Sequence, residues 1–527
     1  MTRAVWAVGP GAPPRLGDFL GWTIGLGTAA FVFADLSFGG LHAAELTIGG
    51  AVTLLAVLAF VRWPGMAIGA VLVFVPLQVP VLAYLYKHGM PGVVARDLGY
   101  LKDAAILGVG LCAVLRTSGN DKTDRWNLDL VDKFAIGYVG IATAYLLLPL
   151  AAPGALGGEP WGVRLGAWRI DCLFAILLLA AKRVSLSMRT LRRIRTTVFV
   201  VAATIFGVAI WESVSSDGYN RFLVRTLGVP IYQIAVLHTS PPPGYSYVVH
   251  AQEGSGIRVG SLLLDPLVLG FFMVLPLAYG LERLSGSRPR LLPLAGVAGG
   301  AVSIVMTQTR SAILSGGVVI LLSVWLAARR RSSGRLPLVI LLVGTGILLA
   351  PYLAQSSAWS RIQSNLSVQT EDNQQHITRT TNGFNSLLRH PAGFGLGANP
   401  ATGVRSQTAN ATNTENSYLG VGSELGAAGM LCFIGFYVAT LVELRRRAQG
   451  ESETAKLAGA SWLAGFGLLV GGLFLPIWIS FPVALTFWGL AGLGLARPAA
   501  DDDELSSGLP HTVATPRQSE TATPVSV

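Results

Sequence analysis

The chain has 527 residues, of which 52% are hydrophobic and only 13% are charged. Soluble domains carry about 25% charged residues, so this composition excludes an ordinary soluble protein and indicates a polytopic membrane protein. The net charge of +11 would suggest a nucleic-acid partner in a soluble protein. Here the basic residues lie between apolar segments, so the charge indicates membrane topology and we expect no nucleic-acid binding.

Apolar segments of about 17–25 residues are long enough to cross a bilayer as helices. The predicted spans are 18–38, 46–61, 65–85, 99–115, 134–152, 166–181, 196–213, 259–281, 291–308, 311–328, 336–354, 417–442, 457–474 and 476–496. The predicted fold is therefore all-α, with about 14 transmembrane helices and a range of about 12–14.

Basic clusters set the predicted orientation. KRVSLSMRTLRRIR (182–195), RLSGSRPR (283–290), RRRSSGR (329–335) and ELRRRAQ (443–449) fall on one side with both termini. Roughly 26 of the 39 Lys and Arg residues lie on that side, which predicts that it is cytoplasmic.

This orientation divides the chain into seven regions. They are a cytoplasmic segment (1–17), N-terminal spans (18–213), an external loop (214–258), core spans (259–354), a large external loop (355–416), C-terminal spans (417–496) and a disordered cytoplasmic tail (497–527). Because the first apolar run follows a proline-rich stretch, it is interpreted as a retained helix and not as a cleaved signal peptide.

The sequence does not contain the usual metal or nucleotide motifs. Cys112, Cys172 and Cys432 all lie in apolar segments, and neither CxxC, HExxH nor a Walker A motif is present. We therefore expect neither a metal site nor a cofactor.

Two arginines lie at the predicted external ends of core helices. Arg258 precedes the apolar part of GSGIRVGSLLLDP, and Asp265 follows it at a depth where an acid is costly unless it is paired or wet. This pattern favours either an anion-binding arginine or a structural Arg258–Asp265 pair. Arg310, in TQTRSAIL, could equally bind a substrate or anchor its turn at the membrane interface.

The large external loop has its own organisation. HITRTTNGFNSLLRHP begins at His376, includes Arg379 and carries a partial helical stripe that stops at Pro391, which predicts a short helix. The glycines of GFGLG (393–397) then predict tight turns. TENSYLGVGSELG places Glu415 and Asn416 at the external start of the twelfth span, where an acid can also act as a helix cap.

Taken together, these motifs resemble the O-antigen ligase and O-antigen (exopolysaccharide) polymerase family of bacterial membrane glycosyltransferases. RVGSLLLDP, TQTRSAIL, RHPAGFGLG and TENSYLGVGSELGAAG occur in the family's order, and the resemblance covers about 250–450 of the chain. It implies a GT-C-like helical fold and glycan transfer outside the cytoplasmic membrane. The donor would be a polyprenyl-diphosphate-linked glycan, and the acceptor another glycan or a lipid-linked glycan.

The resemblance also implies roles for individual residues. Arg258, Arg379 and Arg310 would bind the diphosphate, without a metal; Asn416, Asp265 and His376 are further possible substrate contacts. Where the ligases have a histidine as the expected base, this chain has Glu415. A carboxylate can serve as a general base if it reaches the acceptor hydroxyl, so the difference weakens the ligase interpretation and keeps transfer chemistry possible.

Three alternatives stay open at this point. The chain could be a ligase that attaches finished glycan to a lipid or protein acceptor, a transporter or lipid-linked sugar flippase, or a membrane scaffold. A transporter is expected to place polar groups near the bilayer midplane, whereas here they gather at external helix ends. Membrane lipids, and other polysaccharide assembly proteins, are the remaining expected partners.

Overall fold

A computed structural model of the chain describes residues 57–117, 128–151, 159–184, 186–250, 257–284, 291–329, 371–399, 414–450 and 452–496. The first half holds α1 (Pro64–Lys87), α2 (Gly92–Gly99), α3 (Leu101–Thr117), α4 (Leu130–Ala151), α5 (Trp161–Arg183), α6 (Met188–Val214), α7 (Ser216–Arg221) and α8 (Val229–Ala235). The second half holds α9 (Pro266–Leu284), α10 (Leu291–Met306), α11 (Arg310–Arg329), α12 (Glu371–Arg389), α13 (Ser417–Arg447), α14 (Glu453–Gly472) and α15 (Phe481–Leu495).

The helices confirm a multi-pass membrane protein. Within the described ranges, seven helices are long and apolar enough to cross a bilayer, and α10 and α15 are shorter apolar helices. Eleven of the predicted spans coincide with helices. The spans 18–38 and 336–354, and most of 46–61, lie outside the described residues, so the total of 14 stays a prediction.

The segment before α9 differs from the prediction. The eighth span was expected to begin at 259, but the helix begins at Pro266. A two-residue strand β2 (Ile257–Arg258) pairs antiparallel with β1 (Val249–His250), and a single 3₁₀ turn follows. Buried Glu212 of α6 accepts hydrogen bonds from the amides of Gly260 and Ser261, which holds this segment out of the helix.

The core is an aromatic cluster shared by α4, α5, α13 and α15. Trp488 stacks on Phe436 with 4.4 Å between ring centroids and on Phe174 with 5.7 Å. Tyr138 and Phe433 complete the contact between α4 and α13. Because these rings are large and fully or nearly fully buried, they fix α13 against the N-terminal helices.

One end of the bundle collects basic side chains. Glu453 at the start of α14 binds both Arg195 of α6 and Arg283 of α9. The same carboxylate thus joins clusters that the sequence assigned to one side of the membrane. The structure brings the basic helix ends together, as predicted, while the assignment of this side to the cytoplasm stays a prediction.

The opposite end collects the predicted site segments. The amide of Val259, just after β2, donates to the carbonyl of Met306, the last residue of α10. The side-chain amide of Asn416, before α13, donates to the carbonyl of Leu473 at the end of α14 (2.9 Å). We call this the site end of the bundle.

Candidate active site

Three side chains of the large loop meet at the site end. Arg379 donates from Nη1 to Oε1 of Glu415, and Nδ1 of His376 contacts Oε2 of the same carboxylate. The Glu415 side chain is 17% exposed, whereas Arg379 and His376 are each 40% exposed. The carboxylate is therefore shielded by two groups that a ligand can still reach. We call Arg379, Glu415 and His376 the loop triad.

Glu415 is placed by its neighbour. Asn416, not Glu415, caps α13: its Oδ1 accepts from the amides of Tyr418 (2.9 Å) and Leu419 (3.0 Å). An asparagine cap satisfies two amides that the helix leaves without partners. Asn416, which the sequence suggested as a possible substrate contact, thus caps a helix. The side chain of Glu415 contacts α12 instead.

The helix α12 supplies the other two members of the triad from one face. Residues 376, 379, 383 and 387 lie at helical spacings of three and four, so their side chains share a side. A Cβ on Gly383 would lie 3.1 Å from Thr414, and Leu387 lies close to Gly422 of α13. The face that packs on α13 is thus the one that brings Arg379 and His376 to Glu415.

Arg258 lies in a second arginine group, at the turn between α10 and α11. Its Nε donates to the carbonyl of Thr307 (3.3 Å) and its Nη2 to Oγ1 of Thr309 (3.3 Å). Arg310, the first residue of α11, follows that turn directly and is exposed. The fold therefore gathers both arginines around three residues of backbone, although 51 positions separate Arg258 from Thr309.

Asp265 lies at the start of α9, where its Oδ1 accepts from the amide of Leu267 (2.7 Å). Burial raises the pKa of Asp265, while the amides of Leu267 and Val268 and the charge of Arg258 act in the opposite direction. The charge of Arg258 thus acts on Asp265, while the choice between a structural pair and an anion-binding arginine stays a prediction. Because Asp265 caps α9, it has a structural role.

The glycine loop packs into a break in α13. Gly426 has φ +69° and ψ −175°, which interrupts the helix. There the carbonyls of Ser423 and Glu424 accept hydrogen bonds from the amides of Phe394 (2.7 Å) and Gly395 (3.0 Å). The tight turns predicted for GFGLG are confirmed, since its three glycines all have positive φ.

Beneath this loop lies a pair of buried acids. Glu424 of α13 is 1% exposed and Asp171 of α5 is 7% exposed. The two carboxyl groups interact electrostatically, and Oε1 of Glu424 accepts a hydrogen bond from the amide of Asn399 (3.2 Å).

The sequence predicted some of these residues and missed others. It named all three members of the loop triad, but it gave no indication that Arg379 and Glu415 are ion-paired. Glu424 lies inside the predicted span 417–442, where an acid must face protein or water, and it is buried in protein. The sequence prediction missed Asp171, although an acid in the apolar run of α5 is the kind of residue that usually marks a function.

A family model described as O-antigen ligase matches residues 295–434. In this range the chain is similar to the O-antigen ligase family. No curated protein matches the chain.

The matched range bears directly on the site. The range that matches the O-antigen ligase family model runs from α10 into α13. It includes Arg310, the loop triad, and the glycine loop with the helix break at Gly426. Arg258 and Asp265 precede the matched range and join the site only through the fold. Within the described residues, no group of three or more His, Cys, Asp or Glu side chains could hold a metal ion.

Proposed function

We propose that the chain transfers a polyprenyl-diphosphate-linked oligosaccharide to an acceptor hydroxyl on the external face of the cytoplasmic membrane. The observation that carries this proposal is the loop triad, in which one carboxylate holds a guanidinium and an imidazole at the exposed end of a helical bundle. The match to the O-antigen ligase family supports glycan transfer as the reaction class.

Arginines would bind the diphosphate. A guanidinium offers a planar fork of donors suited to phosphate oxygens, and it stabilises the negative charge of the leaving diphosphate. Arg379 holds one acid through Nη1 and keeps further N–H donors at 40% side-chain exposure. In this proposal Arg379 binds the diphosphate, and Arg258 and Arg310 bind it from the turn between α10 and α11.

Glu415 and His376 would handle the proton. A carboxylate beside Nδ1 favours the imidazole tautomer with its proton on Nδ1, which puts the basic lone pair on Nε2. The acceptor oxygen would form a bond to the anomeric carbon as the bond to the diphosphate oxygen breaks. The hydroxyl proton would pass to the Glu415–His376 pair, and the polyprenyl diphosphate would leave with the bonding electrons.

The ion pair would also couple binding to chemistry. A diphosphate that approaches Arg379 competes with Glu415 for the same guanidinium. Donor binding would thereby weaken the hold on the carboxylate and free it to take the hydroxyl proton. The Arg379–Glu415 contact would thus act in the catalytic cycle and would also hold α12 against α13.

The transfer assay tests these assignments. Purified protein in lipid nanodiscs is given the lipid-linked donor and an acceptor, with no ion gradient across any membrane. We expect Glu415→Gln and Arg379→Ala to insert at normal levels and to lower product formation by at least about 10²-fold. Glu443→Gln is the matched control, because Glu443 pairs with Arg446 and Arg447 at the opposite end of α13. Normal polymer from both site variants would refute the assignment, and product without a gradient would exclude transport as the main activity.

A polymerase is the form of this activity that we favour, because the residue where the ligases carry their histidine is Glu415. Deletion of the gene separates the two forms. A polymerase deletion accumulates single repeat units on the carrier lipid, whereas a ligase deletion accumulates full-length polymer there. We also propose that both termini face the cytoplasm, which places the loop triad and the polymer outside.

A further inference from the structure

The helix α12 exposes large apolar side chains that do not belong to the site. Ile377, Phe384 and Leu388 are 55%, 53% and 65% exposed. At 100° per residue these three positions fall within about 40° of one another around the helix axis. They therefore form one narrow stripe, which we call the apolar sector of α12; Thr381 lies in the same sector.

The rest of the helix surface differs sharply from this sector. The exposed polar residues Thr378, Asn382, Asn385 and Arg389 lie about 100° away. Arg379, His376, Gly383 and Leu387 face α13, about 120° away on the other side. A helix with one packed face, one polar face and one exposed apolar stripe is built for three different environments.

The position of α12 identifies the third environment. Just after the helix, the carbonyl of Pro391 accepts from the amide of Ala427 in α13 (2.8 Å). The carbonyl of Ala392 accepts from the hydroxyl of Tyr145 in α4 (2.6 Å). Both partner helices are among those long and apolar enough to cross a membrane. The helix α12 therefore ends against two membrane spans.

Neighbouring surface has the same character. Leu147 and Leu148, which follow Tyr145 closely in α4, are 48% and 42% exposed. Exposed leucines on a membrane span are the surface that meets acyl chains. The loop after α12 contacts α4, and α4 exposes leucines to lipid near that contact. The apolar sector of α12 thus lies at the same end of the bundle as these leucines.

We propose that the apolar sector of α12 inserts into the surface of the lipid bilayer, as an interfacial amphipathic helix does. The bilayer then holds α12 from one side while α13 holds it from another. This contact sets the height of Arg379 and His376 above the acyl chains. The inference is independent of the proposed glycan transfer, because it rests only on exposure, helical spacing and the two spans.

Spin labels on single cysteines test the contact. In full-length protein with Cys112, Cys172 and Cys432 replaced by alanine, labels are introduced by Ile377→Cys, Phe384→Cys, Leu388→Cys and Thr381→Cys. The protein is reconstituted in nanodiscs of phosphatidylethanolamine and phosphatidylglycerol. Power saturation then compares collisions with oxygen, which concentrates in the bilayer, with collisions with a water-soluble nickel chelate.

We expect labels in the apolar sector to collide several times more with oxygen, relative to nickel, than labels at Asn382→Cys and Asn385→Cys. Those two positions are matched controls, because they lie on the exposed polar face of the same helix. Thr381→Cys keeps the result interpretable if loss of a large apolar side chain disturbs folding. Nickel collisions as frequent as at the controls would overturn the proposal, and so would low collision rates with both reagents, which would show that protein covers the sector.

Discussion

Nη1 of Arg379 donates a hydrogen bond to Oε1 of Glu415 across 36 positions of sequence. The cation that we propose for the diphosphate and the anion that we propose for the acceptor are therefore paired with each other. His376 contacts the second carboxylate oxygen, so Glu415 belongs to a unit of three groups. When residues act as a unit, the loss of any one of them disables the whole unit.

Glu415→Gln and His376→Asn are expected to lower kcat by similar factors, on the order of 10² to 10⁴. The double variant should fall within that same range, because either single change already disables the unit. The measurement is kcat and KM for the lipid-linked donor in nanodiscs. A double variant whose loss equals the product of the two single losses would show that the residues act separately. His376→Asn with an unchanged pH profile of kcat would place the imidazole outside the proton transfer.

Much of this site could be read from the sequence. Apolar runs located eleven spans, and the glycine pattern of GFGLG located the turns, because both depend on local composition. The polar loop named Glu415, Arg379 and His376 because long loops between membrane helices usually carry function. Each of these signals lies within one short segment, so it can be recognised without knowledge of the tertiary structure.

Pairing between distant segments could not be read in this way. That Arg379 meets Glu415 depends on the packing of Gly383 and Leu387 against α13, and single-sequence periodicity does not reveal that contact. The start of α9 was misplaced for a similar reason. Residues 259–265 are apolar enough for helix, but Glu212 of another helix binds the amides of Gly260 and Ser261 and holds them out of the α-helix.

Gly426 cannot accept a side chain without strain. Its φ is +69°, and an added Cβ would lie 2.5 Å from the carbonyl oxygen of Pro391. Gly426→Ala should therefore destabilise the protein by at least about 1–3 kcal/mol, through strain and the displaced loop. Gly140→Ala in α4 is the control, since a Cβ there meets nothing within 4 Å. Thermal unfolding in detergent at one scan rate should show a lower Tm for the first variant alone; equal Tm values would contradict the break in α13.

Glu424 is expected to tolerate an amide but not an apolar side chain. Glu424→Gln keeps an Oε1 that accepts from the amide of Asn399, and its new N–H groups can donate to Asp171. Glu424→Leu removes the acceptor and leaves that amide buried without its bond, at a cost of about 1–3 kcal/mol. Tm and transfer rate should follow the wild type in the first variant and fall in the second. A glutamine variant as damaged as the leucine variant would indicate that the acid itself is needed.

Asp265 should make stability depend on pH. Burial raises its pKa in the folded state, so the folded protein binds the proton more tightly than the unfolded chain does. Stability from this group is therefore highest at low pH, and it falls as pH rises through the raised pKa. Asp265→Asn keeps the acceptor for the amide of Leu267 without the buried charge, so it should raise Tm at about pH 7 and lose that advantage towards pH 4. Asp217→Asn, at an exposed site on α7, controls for the removal of one negative charge. A Tm difference for Asp265→Asn that is the same at both pH values would show that the carboxyl of Asp265 does not titrate in this range.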